Sequence, residues 1–117
     1  MDTLNPAFDA VAAYFSVLSE PTRLRIMHAI CEEEKTVSQI VEELGATQTN
    51  ISRHLNLMHR SGVLARRKEG NQVYYRVADA EMVNLCRNVC DHIAGKMGKD
   101  KSLRRELLRL MPKPRPK

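Results

Sequence analysis

A chain of 117 residues holds one domain of ordinary size, and with 43% hydrophobic and 28% charged residues it should fold around its own core. Its apolar runs are only a few residues long, its first six residues lack the basic start and apolar core of a secretory signal, and its three cysteines are widely spaced. No membrane span, exported precursor or disulfide framework is therefore expected, and the chain reads as cytoplasmic with reduced thiols. Residues 1–50 carry 3 Lys+Arg against 8 Asp+Glu, and residues 51–117 carry 16 against 6, so the net +5 conceals a net −5 and a net +10 half. A basic second half suggests a polyanion partner. Aromatics make up only 4% of the chain, with no Trp, which favours helix over sheet.

Asn5-Pro6 reads as a helix start, with Phe8, Val11, Ala12, Phe15 and Leu18 following at helical spacing. Ser19-Glu20-Pro21 restarts a helix whose apolar side is Leu24, Met27, Ile30 and Cys31, and Glu32–Lys35 is a charged connection. Thr36 then caps a short helix with Val37, Ile40, Val41 and Leu44 at i, i+3, i+4, i+7, and Gly45 stops it. Thr47 caps the next helix, which turns Ile51, Leu55 and Met58 inward and ends at Ser61-Gly62. Two short helices joined by a tight Gly-containing turn form a helix-turn-helix unit.

Val63–Lys68 and Gln72–Val77 are strand-like and flank Glu69-Gly70-Asn71, a hairpin turn. Asp79 caps a long helix to about Met97, with apolar positions Met82, Val83, Leu85, Cys86, Val89, Cys90, Ile93, Ala94 and Met97. That stripe is wide for a helix resting on its own small domain, so a dimer interface is favoured over a core role. The expected architecture is mainly α with a small β-hairpin, a dimeric winged helix-turn-helix spanning residues 1–98. Residues 99–117 form a basic amphipathic helix with a Pro-rich tail.

In a helix-turn-helix the second helix enters the major groove. Residues 47–56 contain no acidic residue, whereas an ordinary solvated helix face mixes Glu with Lys. Thr47, Gln48, Thr49, Asn50, Ser52, Arg53 and His54 are the candidate DNA-contacting residues of that helix. Arg53 can take a guanine bidentately and Gln48 or Asn50 an adenine. On the hairpin, Arg66, Arg67, Lys68 and Gln72 are candidates for flanking phosphates.

Leu18–Ile26 (LSEPTRLRI) resembles the "L-S-x-P-x-R-L-x-I" segment of the ArsR/SmtB family of repressors. Thr47–Leu55 (TQTNISRHL) resembles its recognition helix, and Ser61–Leu64 with Gln72–Arg76 its wing. The resemblance covers about residues 10–95. It implies a winged-helix homodimer joined by its first and last helices, which binds inverted-repeat operators and releases them when an effector binds.

The resemblance also bears on the effector. Thr36–Val41 holds no thiol where arsenite- or cadmium-binding members carry Cys-x-Cys. Zinc-type members carry ligands along the last long helix; Asp79, Glu81 and His92 match three positions and Gly95 replaces the fourth. A helix cap, a dipole-stabilising carboxylate and a surface imidazole account for the same three residues. Independently, Cys86 and Cys90 share a helix face at i, i+4 and can bind arsenite, a soft metal ion or a reactive sulfur species, with a third ligand from Cys31 or the other subunit; as small buried hydrophobes they would simply pack. An enzyme is not expected, because no phosphate-cradling Gly loop, nucleophile elbow or paired carboxylates in an apolar setting occur. The alternatives are a regulator with a non-thiol or zinc-type effector, and a winged helix that binds protein rather than DNA.

Overall fold

The computed structural model describes residues 5–96 and 101–110. In chain order the elements are α1 (Asn5–Ser16), α2 (Pro21–Ile30), β1 (Lys35–Thr36), α3 (Val37–Leu44), α4 (Gln48–Arg60), β2 (Leu64–Glu69), β3 (Gln72–Val77), α5 (Ala80–Lys96) and α6 (Lys101–Leu110). The predicted stops at Met97 and in the Pro-rich tail lie outside the described residues. No helix among the described residues is long and apolar enough to cross a membrane.

Local chemistry sets the helix boundaries. Thr36 accepts from Gln39 N–H while the Gln39 side chain accepts from Thr36 N–H, a reciprocal capping box at the start of α3. Gly45, at φ +67°, ends α3 by donating its N–H to the Val41 carbonyl, and Arg25 donates to the Leu44 carbonyl at 2.7 Å. Thr47 then accepts from Asn50 N–H and opens α4, so only Ala46 separates one cap from the next. At α5, Asp79 accepts from Glu81 N–H and Met82 N–H through one carboxylate oxygen and from the Tyr14 hydroxyl, at 2.8 Å, through the other.

The wing is a three-stranded antiparallel sheet in the order β1-β3-β2, one strand more than the expected hairpin. Leu64 pairs with Val77 and Glu69 with Gln72, leaving Gly70-Asn71 as a two-residue turn. Gly70 has φ +61° and no described non-Gly residue has positive φ, the pattern of a type II′ turn. Lys35 and Thr36 pair with Tyr75 and Tyr74, which ties the entry of α3 to the wing. Two residues that also serve as a helix cap carry no strand periodicity, so β1 has no sequence signature.

One core joins α2, α3, α4, the wing and α5: Ile26, Met27, Ile40, Ile51, Leu55, Met58 and Met82 are all fully buried. Two expectations change here. The buried side of α2 is Ile26, Met27, Ala29 and Ile30, whereas Leu24 is 36% exposed. The central helix meets neighbours on more than one side, so its buried face is wider than a single stripe. The long stripe of α5 also divides. Met82, Val83, Cys86 and Ala94 are buried in their own chain, while Val89 is 44% exposed. α1 buries none of its residues and leaves Phe8, Val11 and Phe15 more than half exposed. Since Leu55 is wholly enclosed, Leu55→Ala is expected to lower unfolding free energy by about 2–5 kcal/mol, measured by urea denaturation with an unchanged m-value.

Candidate nucleic-acid interface and effector site

With Ile51, Leu55 and Met58 buried, α4 turns Gln48, Thr49, Arg53 and Asn56 to solvent, with Asn50 and Ser52 at the margins and Thr47 exposed at the cap. The Arg53 guanidinium donates to Asn50 Oδ1 at 2.7 Å. One helical turn along the same face, the two side chains act as a unit, and the carbonyl expected to be available for an adenine is engaged by the arginine instead. His54 is a correction to the DNA-facing set: it is 6% exposed and points into the protein, towards Glu20 and Arg23. The recurrence 51, 54, 55, 58 already follows the inward pattern i, i+3, i+4, i+7.

The wing changes more. Arg66, Lys68, Gln72 and Arg76 are exposed, but Arg67, also exposed, is engaged within the chain. Its Nε donates to both Glu34 oxygens at 2.9 and 3.0 Å, its Nη2 donates to Glu34 as well, and its Nη1 donates to Glu69 at 2.8 Å. The guanidinium also lies 4.4 Å from the Tyr74 ring centroid. The hydrogen bonds from Arg67 hold the Glu34 carboxyl below its usual range, and those carboxylates push the guanidinium further up. Arg67 is thus the anchor between the loop after α2 and the β2–β3 hairpin, not a free cation for phosphate. Glu34 lies 33 residues away in sequence, so no local pattern marks the pair.

Cys86 is buried and Cys90 half-buried on α5, with Cys31 buried at the end of α2. Burial above all, then the neighbouring Cys90 and Cys31 sulfurs, push the Cys86 thiol up to about 12. Burial also raises Cys90, although the hydrogen bond shared with Cys86 pulls it the other way. The Cys31 thiol donates to the His28 carbonyl at 3.3 Å. Cys86 and Cys90 line a largely apolar cavity of about 230 Å³ walled by Leu24, Arg25 and His28 of α2 and by Leu107 of α6. A neighbouring cavity of about 210 Å³ adds Phe15, Leu85, Val89 and Ile93. Leu107 in both walls shows that α6 packs on α5; the sequence marks a basic amphipathic helix here but not what its apolar side covers.

No three His, Cys, Asp or Glu among the described residues are arranged to hold a metal ion. The three thiols do not form a ready chelate within one protomer. Within one protomer Asp79, Glu81 and His92 do not converge, so a metal there would need an antiparallel helix pair across two protomers: Asp79 is the cap of α5 and its other oxygen holds Tyr14, while His92 lies eleven residues beyond Glu81, about 16 Å along the helix.

Comparison with known proteins agrees with this geometry. The family described as "Bacterial regulatory protein, arsR family" matches residues 20–66, from the cap of α2 into β2. The "Transcriptional repressor SmtB homolog" of Synechocystis sp. is 32% identical over 83 residues, covering 71% of this chain and 63% of that protein, so the chain spans under two thirds of that relative. The HTH-type regulator Rv0081 of Mycobacterium tuberculosis is 30% identical over 81 residues, 68% of this chain and 71% of that one. Its crystal structure aligns with a TM-score of 0.70 at 26% identity, over 84% of this chain and 98% of that chain. The homodimeric winged helix-turn-helix domain of Mb0332 from Mycobacterium bovis aligns with a TM-score of 0.70 at 27% identity, over 83% and 89% of the two chains. With the capped α3–α4 unit, the wing and these matches in agreement, the chain belongs to the arsR family of bacterial regulatory proteins and carries its winged helix-turn-helix fold.

Proposed function

We propose that this chain is a homodimeric transcriptional repressor that binds an inverted-repeat operator and releases it when a thiophilic effector acts at Cys86 and Cys90. The observation that carries the DNA reading is the acid-free outer face of α4, with Arg53 oriented by Asn50. The wing adds Arg66 and Lys68 as exposed cations. Dimerisation is supported by the apolar Phe8, Val11 and Phe15 of α1 and Val89 of α5, which the single chain leaves exposed, and by the homodimeric relative.

The effector reading rests on two thiols in one apolar cavity. Protonated thiols in such a wall disfavour a hydrated cation, which must displace two protons and lose its water. Arsenite, as its uncharged hydroxide, fits such a wall better, because its hydroxyls leave as water with the two thiol protons, whereas a reactive sulfur species or a soft metal ion needs the thiolate that burial disfavours. Effector bound there would lie between α2 and α5, the helices that join the core to the exposed apolar face.

Arg53→Ala is expected to weaken operator binding by about 1–3 kcal/mol and relax base preference, read by titration against operator and scrambled DNA. Arg66→Ala or Lys68→Ala should weaken all sequences alike and reduce the slope of log affinity against log salt by about 0.9 each. The charge-neutral pair Arg67→Gln with Glu34→Gln should leave that slope at its wild-type value. Binding without salt dependence, or none at all, would favour a protein-binding winged helix instead.

Cys86→Ser with Cys90→Ser is expected to preserve DNA binding without effector and abolish release by arsenite or polysulfide. Full release by the double variant would remove the thiol site. Mass spectrometry of alkylation near neutral pH should find Cys90 modified before Cys86 and Cys31 in the folded protein, and all three at similar rates after denaturation. Equal rates in the folded protein would show that the thiols are not enclosed.

A further inference from the structure

Arg23 lies in the Leu18–Ile26 segment and His54 in the recognition-helix segment, 31 residues apart, and the fold brings them into contact. Arg23 Nη1 is 3.2 Å from His54 Nδ1. The same guanidinium donates from Nε to the Val17 carbonyl at 2.9 Å and from Nη2 to the Ser16 carbonyl at 2.8 Å, both at the C-terminal end of α1. Glu20, the cap of α2, accepts from Arg23 N–H at 3.1 Å and lies 3.6 Å from His54 Nε2.

A guanidinium has donors only, so the imidazole must accept at Nδ1 and carry its proton on Nε2, facing the Glu20 carboxylate. The tautomer follows from the partners on either side of the ring. One planar group thus satisfies the Val17 carbonyl, adds a donor to the Ser16 carbonyl that Ser19 also caps, and grips a buried side chain of α4. His54 directly follows Arg53, so the rotation of α4 that His54 fixes also fixes where Arg53 points. We infer that Arg23 and His54 are positioning residues for DNA binding, a clasp that sets the rotation of α4 against the end of α1. This inference rests on the DNA-binding reading above.

Lysine at position 23 would keep the charge but could not reach three acceptors in one plane. Asparagine at position 54 places an acceptor oxygen where Nδ1 stands but does not titrate; leucine fills space and accepts nothing. The charged groups facing His54 are Glu20 and Arg23 of α2 and Arg53 of its own helix. Burial first, then the Arg23 and Arg53 cations, hold the imidazole below its usual value, and Glu20 opposes them. Only the neutral ring can accept from Arg23. The clasp is therefore intact above the ordinary histidine range, and is weakened as pH falls through the lowered value and Nδ1 takes a proton.

The test pairs a measurement without DNA with one on DNA. Nitrogen-15 NMR of the wild-type imidazoles near neutral pH should show His54 neutral, with Nδ1 unprotonated and Nε2 protonated. Arg23→Lys and His54→Leu, shown folded by circular dichroism, should each bind operator about tenfold or more weakly than wild type, whereas His54→Asn stays within about threefold. As pH falls through the value at which the same NMR experiment shows His54 taking its second proton, wild-type affinity should fall relative to that of His54→Asn. If a variant fails to fold, the NMR result and the His54→Asn profile still decide. A charged or Nδ1-protonated ring, wild-type binding by both Arg23→Lys and His54→Leu, or identical pH profiles would overturn the clasp. A wild-type chain with the expected tautomer but no affinity for any DNA would overturn it through the DNA-binding reading instead.

Discussion

Burial of Ile51, Leu55 and Met58 against α2 and α3 is the constraint on which the rest depends, because a helix with one face committed to the core has only the opposite face to offer. Neither α3 nor α4 is long enough to be secure alone; their stability comes from sharing this core. The caps then set their relative placement. Gly45 ends one helix and Thr47 begins the next two residues later, so the short capped turn and the shared core together set the angle between them. Arg53 and Asn50 stand where they do because the residues one position round the helix are enclosed.

Charge in this protein is arranged in space rather than by chain half. The acidic first half reaches across to the basic second half at Glu34, whose carboxylate takes up Arg67. Exposed ion pairs contribute little stability singly, but a bidentate pair with a second carboxylate and an aromatic face beneath it fixes direction. Its result is to orient the hairpin relative to the loop after α2. Arg66 and Lys68, on the other face of the hairpin from Arg67, are clear of that anchor, whereas Arg76 shares the face of Arg67 and its charge also acts on Glu34. A count of basic residues along the hairpin therefore overstates its free charge.

Much of this was legible locally. The Thr36 and Thr47 caps, the Gly45 stop, the i, i+3, i+4, i+7 stripe of α3 and the Gly-Asn turn each depend on residues within a few positions, and each lies where the sequence places it. His54 was legible too, since it occupies an inward position of the α4 stripe, but its polar identity drew it to the wrong face. Other features depend on distant partners. The Arg67–Glu34 pair, the engagement of Leu107 with α5 and the division of the α5 stripe all require the tertiary arrangement, because helical spacing shows that a face is apolar and not what covers it.

The same distinction explains how α1 is held. It buries no residue in its own chain, so apolar packing does little to fix it. Two polar ties do so: Tyr14 donates to Asp79 at the start of α5, and Arg23 grips the carbonyls at its C-terminal end. Burial, then the hydrogen bond to the Asp79 carboxylate, push the Tyr14 hydroxyl up to about 12, so Tyr14 remains a donor at any ordinary pH. α1 is thereby linked at one point to the helix that carries Cys86 and Cys90, and at another to the helix that carries Arg53. A second copy packed on Phe8, Val11 and Phe15 would bear on both links together. An effector that displaced α5 by a small amount would then act on α4 through α1, and a coupling of about 1–3 kcal/mol needs no more than a change in which of two such hydrogen-bonded arrangements is favoured.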